Sequence, residues 1–163
     1  MLFNMDDINK MSSFDPNSPH KIKNTKEEFI EAINKADVPF VTSYVSPAIK
    51  KCISFPLKEI FEKYGIFYYT NTISYMLAYA LFNGIESVDL WGVAQSGIKE
   101  HIIERRGVEF WIGVCSGQGM KITINGPSNL LKFEKGIVYG YKKSPIEVAK
   151  EFGFYGEEEI IKS

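Results

Sequence analysis

Small polar side chains are concentrated at the point where an aromatic stretch gives way to a long apolar run. Thr70, Asn71, Thr72 and Ser74 supply hydroxyl and amide groups there, and the run that follows contains no Gly or Pro before Gly84. Ser, Thr and Asn are favoured at helix N-caps, and the free N–H groups of a helix N-terminus also suit anions. Because one cap needs only one such residue, two interpretations stay open: a helix cap alone, or a cap that also contacts a ligand.

A second polar group, made of Gly92, Gln95 and Ser96, follows the strand predicted for SVDLW. In parallel α/β units, ligands bind outside the carboxyl ends of the strands and against helix N-termini. We therefore expect this second group on one rim with the first. Ser43 follows an earlier predicted strand and belongs to the same rim. Such side chains can hydrogen-bond a phosphate, a ribose or a base.

Charged residues on one predicted helix could extend this site. Arg105 or Arg106 could bind a phosphate through two parallel hydrogen bonds. Arg105 and Glu109 are one helical turn apart and share a helix face, as do Glu100 and Glu104. A structural role in ion pairs is the alternative for each of these residues. A magnesium-dependent phosphoryl transferase would need two or more converging carboxylates.

Aromatic and sulfur-containing residues have mainly structural interpretations. Trp111 is expected in the core or, alternatively, as a platform for a base. Tyr75 and Tyr79 share a helix face and either pack against neighbouring helices or a second subunit, or stack on a purine, with Tyr75 nearer the rim. Cys115 is expected to pack as a small apolar residue. With two His and no CxxC spacing, we expect no metal site, and we expect no cofactor.

Length and composition set the class of protein. The chain has 163 residues, 45% of them hydrophobic, which predicts a single domain over residues 1–163. A net charge of −1 argues against a nucleic-acid partner. No apolar run approaches the roughly 20 residues that span a bilayer, and the N-terminus lacks the pattern of a signal peptide. We therefore expect no membrane partner and a cytoplasmic location.

The order of predicted elements alternates strands with helices. Residues 1–24 are predicted to be an irregular lead-in, and Thr25 and Glu28 predict a capping box that opens a helix. Ser144 opens a C-terminal helix and tail, residues 144–163. A βαβ unit is predicted over Ile66–Gly97. This order is typical of a three-layer α/β domain with a mainly parallel sheet, whose strands would contain Phe40, Phe67, Val88 and Ile122.

Three segments within Phe55–Tyr141 resemble a family of Rossmann-like proteins of tailed phages and prophages. They are FPLKEIFEKYGIFYYTNTISYMLAYALFNGIESVDLWGV, EHIIERRGVEFWIGVCSGQGMKITI and SNLLKFEKGIVYGY. The resemblance matches Thr70–Thr72 to a Thr-Ser-Thr-like turn and Gly92 to a strand end. It also matches Arg105, Glu109 and Trp111 to a helix motif. It implies a truncated Rossmann-like domain, distantly similar to the pterin diphosphokinase-like and sialyltransferase-like groups, which bind phosphorylated nucleotides or pterins.

Two departures from the family pattern bear on activity. Ala94 stands where the family has an acidic residue, and no Gly-rich phosphate loop precedes the matched region. We therefore predict a phage-type protein that binds a nucleotide or nucleotide-like phosphorylated molecule without converting it. The resemblance implies action in the cytoplasm of an infected or lysogenic host, where capture could remove a defence signalling nucleotide.

The alternative is a small nucleotide-dependent transferase or hydrolase that carries out glycosyl or phosphoryl transfer. It would use Glu100, Glu104 or Glu109 with a metal. We also expect a homo-oligomer, because a sheet this small leaves an apolar edge.

Overall fold

The computed structural model describes residues 1–5, 25–94, 99–132 and 136–153, with the backbone alone at 99–101. Contacts divide the chain into two compact units, Met1–Asn83 and Gly84–Ser163. Each unit combines helices with a small parallel sheet, so the predicted α/β class is confirmed. No helix among the described residues is both long and apolar enough to cross a membrane.

The first unit contains a three-stranded sheet that is parallel throughout, in the order β1-β2-β3. Leu2 pairs with Phe40, and Phe40 pairs in turn with Cys52. The elements are β1 (Leu2–Phe3), α1 (Lys26–Ala36), β2 (Phe40–Thr42), β3 (Cys52–Ser54), α2 (Leu57–Tyr64) and α3 (Thr72–Phe82).

Local capping chemistry explains where α1 and α2 begin and end. Thr25 accepts a hydrogen bond from the Glu28 N–H through its hydroxyl, and the Glu28 carboxylate accepts one from the Thr25 N–H, as the capping-box pattern predicted. Pro56 precedes the first residue of α2. Gly65 ends α2 with a φ of 69°, a left-handed conformation that glycine adopts without strain.

Both faces of this sheet are covered. Phe40 and Val41 point to opposite faces of β2, and only 2% and 0% of their surfaces are exposed. Ile33 of α1 packs against Phe40 on one face. On the other face, the ring of Phe3, the neighbour of Val41 in register, lies 5.3 Å from the ring of Tyr79 in α3. The sheet therefore lies between α1 and α3.

Two sequence predictions for this unit are wrong. The lead-in is not entirely irregular, because Leu2–Phe3 forms β1. The strand predicted at Ile66–Tyr69 is absent, and residues 65–70 have no regular secondary structure. Aromatic rings of this stretch pack against other rings: Phe67 lies 6.0 Å from Phe61, and Tyr69 stacks on Tyr75 at 4.1 Å. The predicted βαβ unit therefore lacks its first strand.

The second unit contains β4 (Ser87–Trp91), α4 (Lys99–Gly117), β5 (Lys121–Asn125) and α5 (Pro145–Phe152). Strands β4 and β5 are parallel, with Val88 paired to Ile122, so β4–α4–β5 is a βαβ unit. Helix α4 continues through two glycines, and its buried side carries Val108, Trp111 and Cys115.

The predicted strands at Phe40, Val88 and Ile122 all exist, but they do not belong to one sheet. The described strands form a three-stranded sheet that contains Phe40 and a separate two-stranded sheet that contains Val88 and Ile122. The strand that was predicted to join them, around Phe67, is the one that does not form. The prediction of a single mainly parallel sheet is therefore wrong.

Candidate functional site

The N-terminus of α3 is built by a reciprocal cap between Asn71 and Ser74. Asn71 Oδ1 accepts a hydrogen bond from the Ser74 N–H at 3.1 Å. The Ser74 hydroxyl accepts hydrogen bonds from the N–H groups of Thr70 and Asn71, each at 3.2 Å, and donates to the Asn71 carbonyl at 2.7 Å. Ser74 is fully buried. The capping interpretation therefore accounts for Asn71 and Ser74.

The first turn of α3 has backbone donors beyond those used by the cap. The N–H groups of Thr72 and Ile73 have no intrahelical acceptor, because the carbonyls four residues earlier precede the helix. No acidic residue occupies this turn, and the whole helix, TISYMLAYALF, contains no charged side chain. Its N-terminus therefore attracts an anion without competition from a carboxylate of its own first turn.

Phe55 joins the carboxyl end of β3 to this turn. Its N–H donates to the Thr42 carbonyl of β2 at 2.8 Å, which continues the sheet hydrogen bonding past Ser54. Its ring lies 4.9 Å from Tyr75 and 6.0 Å from Tyr69, the two tyrosines that flank the cap. The carboxyl end of β3 therefore lies beside the helix N-terminus, the arrangement in which parallel α/β units bind ligands.

Ser43 follows β2 at the same edge of the sheet. Its carbonyl accepts a hydrogen bond from the Ser54 hydroxyl at 3.3 Å. Its own hydroxyl is shielded from solvent and makes no hydrogen bond to any described residue. A buried polar group without a partner costs about 1–3 kcal/mol, which a ligand oxygen bonded to Ser43 would recover.

The aromatic cluster of Phe55, Tyr69, Tyr75 and Tyr79 supports this edge. Tyr69 and Tyr75 stack at 4.1 Å with an interplanar angle of 11°. Burial raises the pKa of the Tyr69 phenol to about 12, with the neighbouring Tyr75 adding to the shift. Burial also raises the pKa of Tyr75. The packing interpretation of Tyr75 and Tyr79 is therefore confirmed.

The site residues predicted from the sequence fall into both units. Ser43, Thr70, Asn71, Thr72 and Ser74 belong to the first unit, and Gly92, Arg105 and Glu109 to the second. Gln95 and Ser96 lie outside the described residues. Gly92 ends β4 with a φ of 68°, which agrees with the predicted turn. A single rim formed by all ten residues stays a prediction.

Glu109 holds the loop that follows β5. Its Oε1 accepts a hydrogen bond from the Leu131 N–H at 2.8 Å and lies 3.5 Å from Arg105 Nε, so the predicted ion pair is confirmed. That nitrogen is shielded from solvent and makes no hydrogen bond to the described residues. Ser128 ties the same loop to the turn after β4 by donating to the Val93 carbonyl at 2.7 Å. Glu109 therefore has a structural task.

The remaining candidates in α4 are core residues. Trp111 is fully buried, so it cannot be a platform for a base. Cys115 is also fully buried, and burial raises the pKa of its thiol to about 11, which confirms that it packs as an apolar residue. Across the described ranges, no group of three or more His, Cys, Asp or Glu could hold a metal ion.

Sequence reasoning passed over Tyr44, which directly follows Ser43 at the carboxyl end of β2. Its surface is 61% exposed. The signal in the sequence was its position, one residue beyond a predicted site residue.

Comparison of the sequence and the structure with protein-family models, curated proteins and solved structures gave no match. The likeness to phage Rossmann-like proteins therefore stays a prediction, and function has to be argued from the site itself.

Proposed function

We propose that the protein binds a nucleotide or nucleotide-like phosphorylated molecule where the first turn of α3 meets the carboxyl edge of the β1-β2-β3 sheet. One observation carries the proposal. The N-terminus of a helix without charged side chains lies beside the ends of parallel strands, held there by Phe55. Anionic groups bind at such positions through backbone N–H groups and the helix dipole.

Different residues of the edge bind different groups of the ligand. The N–H groups of Thr72 and Ile73, with the Thr72 hydroxyl, bind the phosphate. The Ser43 hydroxyl, buried and without a hydrogen bond among the described residues, binds a ribose or phosphate oxygen. Asn71 and Ser74 hold the turn in shape through their cap.

The proposal includes a truncated Rossmann-like arrangement and assembly into a homo-oligomer. The first is supported by the parallel three-stranded sheet between α1 and α3. The second is supported by β3, which is an edge strand among the described strands and has an exposed Ile53. A phage origin and capture of a host defence nucleotide in the cytoplasm rest on the sequence resemblance alone.

The contacts of Glu109 and the lack of an acidic side chain at Ala94 favour binding without conversion over catalysis. Glu109 is engaged by the Leu131 N–H and faces Arg105, so using it for a metal would release the loop after β5. Ala94, in the position where the related family has an acidic residue, has no group for proton transfer or metal binding.

A binding screen tests the proposal. Mononucleotides, dinucleotides, cyclic nucleotides and nucleotide sugars are tested by thermal shift, since a ligand that binds the folded state raises the midpoint. Affinities of each hit are then measured for wild type, Thr72→Ala and Ser43→Ala. We expect each variant to lose about 1–3 kcal/mol of binding free energy. Ser116→Ala, which changes an exposed serine of α4, is the matched control. Absence of any shift would exclude the proposal.

A second measurement separates capture from catalysis. The protein is incubated with the hit, denatured, and the released small molecules are analysed. Intact ligand supports capture. A product that disappears with Glu109→Gln or with a chelator would establish the transferase or hydrolase instead.

A further inference from the structure

We infer that the protein forms a two-fold dimer in which α2 packs against α2 of a second copy, with the two helices antiparallel. The inference rests on the homo-oligomer of the proposed function and deepens it, because it names the surface that joins the copies. That surface has an aromatic flank, formed by Phe61 and Phe67, and a charged flank, formed by Lys58 and Glu62. Both flanks lie on or beside the outward side of α2 in the first unit.

Helix α2 has an inward and an outward side. Ile60 lies on the inward side, where 0% of its surface is exposed. Phe61 comes next in the sequence and points outward, among charged residues, with 46% of its surface exposed. One exposed apolar side chain on its own is ordinary for a protein surface, so the neighbours of Phe61 are what distinguish this face.

Phe67 makes the exposed apolar surface of α2 continuous. Its ring lies 6.0 Å from the ring of Phe61 with an interplanar angle of 84°, and 6.4 Å from the ring of Tyr69. These contacts hold the ring of Phe67 beside the helix, and 69% of its surface stays exposed. Two exposed rings in contact form an apolar patch, and aromatic residues are enriched in interfaces between proteins.

The charged flank is complementary to itself. Lys58 and Glu62 lie one helical turn apart, and their side chains are 82% and 62% exposed. Their ion pair within the chain is 3.7 Å long, and exposed pairs of this kind contribute little. A two-fold axis at the level of Ile60 reverses the order of residues in the second helix. Lys58 of each copy then lies opposite Glu62 of the other, which gives two attractive contacts.

Helical geometry keeps the two flanks separate in such a dimer. Lys58 and Glu62 lie about 40° apart around the helix, and Phe61 lies about 60° from Lys58 on the other side. An isologous interface between antiparallel helices places each flank against the same flank of the second copy. Rings therefore meet rings and charges meet charges. Phe61 is one residue from the level of the axis, so the two Phe61 rings meet near the centre of the interface.

The charge and size of α2 set the expected strength of the dimer. The exposed charged residues of the helix, Lys58, Glu59, Glu62 and Lys63, have a net charge of zero, so two copies approach without repulsion. Eight residues of helix are about 12 Å long, which is short compared with interfaces that bury about 800 Å² on each partner. We therefore expect a weak dimer that dissociates on dilution.

The test measures the oligomeric state of charge-reversed variants of the full chain. Sedimentation equilibrium over a concentration series gives the dimer dissociation constant of wild type, Lys58→Glu and Glu62→Lys. Each reversal turns both attractive contacts into repulsive ones, so the dissociation constant should rise about 3- to 30-fold. An equimolar mixture of the two variants should dimerise as wild type does. In the mixed dimer one chain has two negative charges on the flank and the other has two positive ones.

Two further variants show whether the effect belongs to this face of α2. Lys63→Glu makes the same charge change as Lys58→Glu, but Lys63 lies about 140° around the helix from Lys58. Its ammonium lies over the ring of Phe82 in α3, so this control should leave the dissociation constant unchanged. Phe61→Ala removes a ring from the centre of the interface and should weaken the dimer about tenfold or more. Thermal midpoints show whether each variant is folded.

Every other outcome overturns the inference. A mixture that dimerises no better than either variant alone would show that Lys58 does not face Glu62 of the second copy. Equal dissociation constants for wild type and all variants would leave the homo-oligomer standing and place its interface elsewhere. A wild type that is a monomer at every concentration would overturn both the inference and the proposed homo-oligomer. Ligand binding is measured in the separate screen, so it stands or fails independently of these results.

Discussion

At the scale of single residues, the start of α3 shows how one side chain can serve several backbone groups. The Ser74 hydroxyl accepts from two N–H groups and donates to a carbonyl, and its own N–H is satisfied by Asn71. Residues that close a cap so completely have little hydrogen-bonding capacity left for a ligand. The sequence could identify the cluster but could not divide it into capping residues and ligand-facing residues, because that division depends on side-chain rotamers. Thr72 lies outside the Asn71–Ser74 cap, and its hydroxyl is the one proposed to bind the ligand.

Tyr69 gives a pH dependence that can be measured. Its phenol has a pKa of about 12 in the folded chain against the ordinary value of 10.0, because burial disfavours the charged phenolate. The folded state therefore retains this proton at a pH where the unfolded chain releases it. The stabilising contribution is complete below pH 10.0 and is lost as the pH rises towards about 12. We expect the free energy of unfolding to fall over this interval, and to fall less steeply in Tyr69→Phe.

The comparison needs a matched substitution because lysines also titrate in this range. Tyr139→Phe removes a phenol that is almost fully exposed and should leave the pH profile of stability unchanged. Urea unfolding at a series of alkaline pH values provides the measurement. Identical pH profiles of stability for Tyr69→Phe and wild type would mean that Tyr69 ionises equally easily in the folded and the unfolded chain.

At the scale of elements, the helices were predictable, but two of the short strands were not. The starts of α1 and α5 could be read from Thr25 and Ser144, because a capping box is a local pattern confined to four residues. Strands β1 and β3, of two and three residues, are too short to show periodicity. They exist because β2 lies beside them with both faces buried, which is information from distant parts of the chain.

The false strand at Ile66–Tyr69 has the opposite cause. Its aromatic and β-branched residues have high strand propensity, but that propensity mainly measures how well a side chain packs on a sheet. Here Tyr69 packs on Tyr75 and Phe55, and no described strand pairs with the segment. Tertiary packing of rings replaced the backbone pairing that propensity alone suggested.

The connection between β2 and β3 depends on one side chain of α1. Residues 43–51 join two parallel strands, although such connections usually need a dozen or more residues. Asn34 donates to the Ala48 carbonyl and accepts from the Lys50 N–H, each at 2.9 Å. We expect Asn34→Ala to lower the free energy of unfolding by about 1–3 kcal/mol, because it leaves both groups without this partner. Denaturant unfolding measures the change.

Two further variants show whether the loss of stability in Asn34→Ala comes from its two hydrogen bonds. Lys35→Ala changes the adjacent exposed residue of α1 and should alter stability by less than about 0.5 kcal/mol. Asn34→Asp keeps the acceptor for Lys50 and loses the donor to Ala48, so an intermediate loss is expected. Equal stability of Asn34→Ala and Lys35→Ala would show that the connection between β2 and β3 does not need the Asn34 hydrogen bonds.

At the scale of the whole molecule, the predicted site and the predicted domain depend on each other. The sequence predicted one domain with one rim, and the structure divides the chain at Asn83. Five of the ten predicted site residues belong to the first unit, where they lie on the carboxyl edge of the sheet or in the first turn of α3. Sequence patterns could not show this division, because it follows from which strands pair.

Cutting the chain after Asn83 tests whether the first unit folds and binds a ligand by itself. The described residues of the first unit form a three-stranded sheet and three helices, and a core of Ile33, Phe40 and Ile49 lies within that unit. Domains of about 55–65 residues can fold alone, so a fragment of residues 1–83 is large enough to do so. We expect this fragment to unfold cooperatively in denaturant and to bind the nucleotide found in the screen with wild-type affinity. A fragment that is unfolded, while the full chain is folded, would support the single domain that the sequence predicted. A fragment that folds but does not bind would show that the second unit supplies ligands, and Arg105→Ala in the full chain would then reproduce the loss. A folded fragment that does not bind would restore the larger rim, whereas binding by the fragment alone places the site in the first unit.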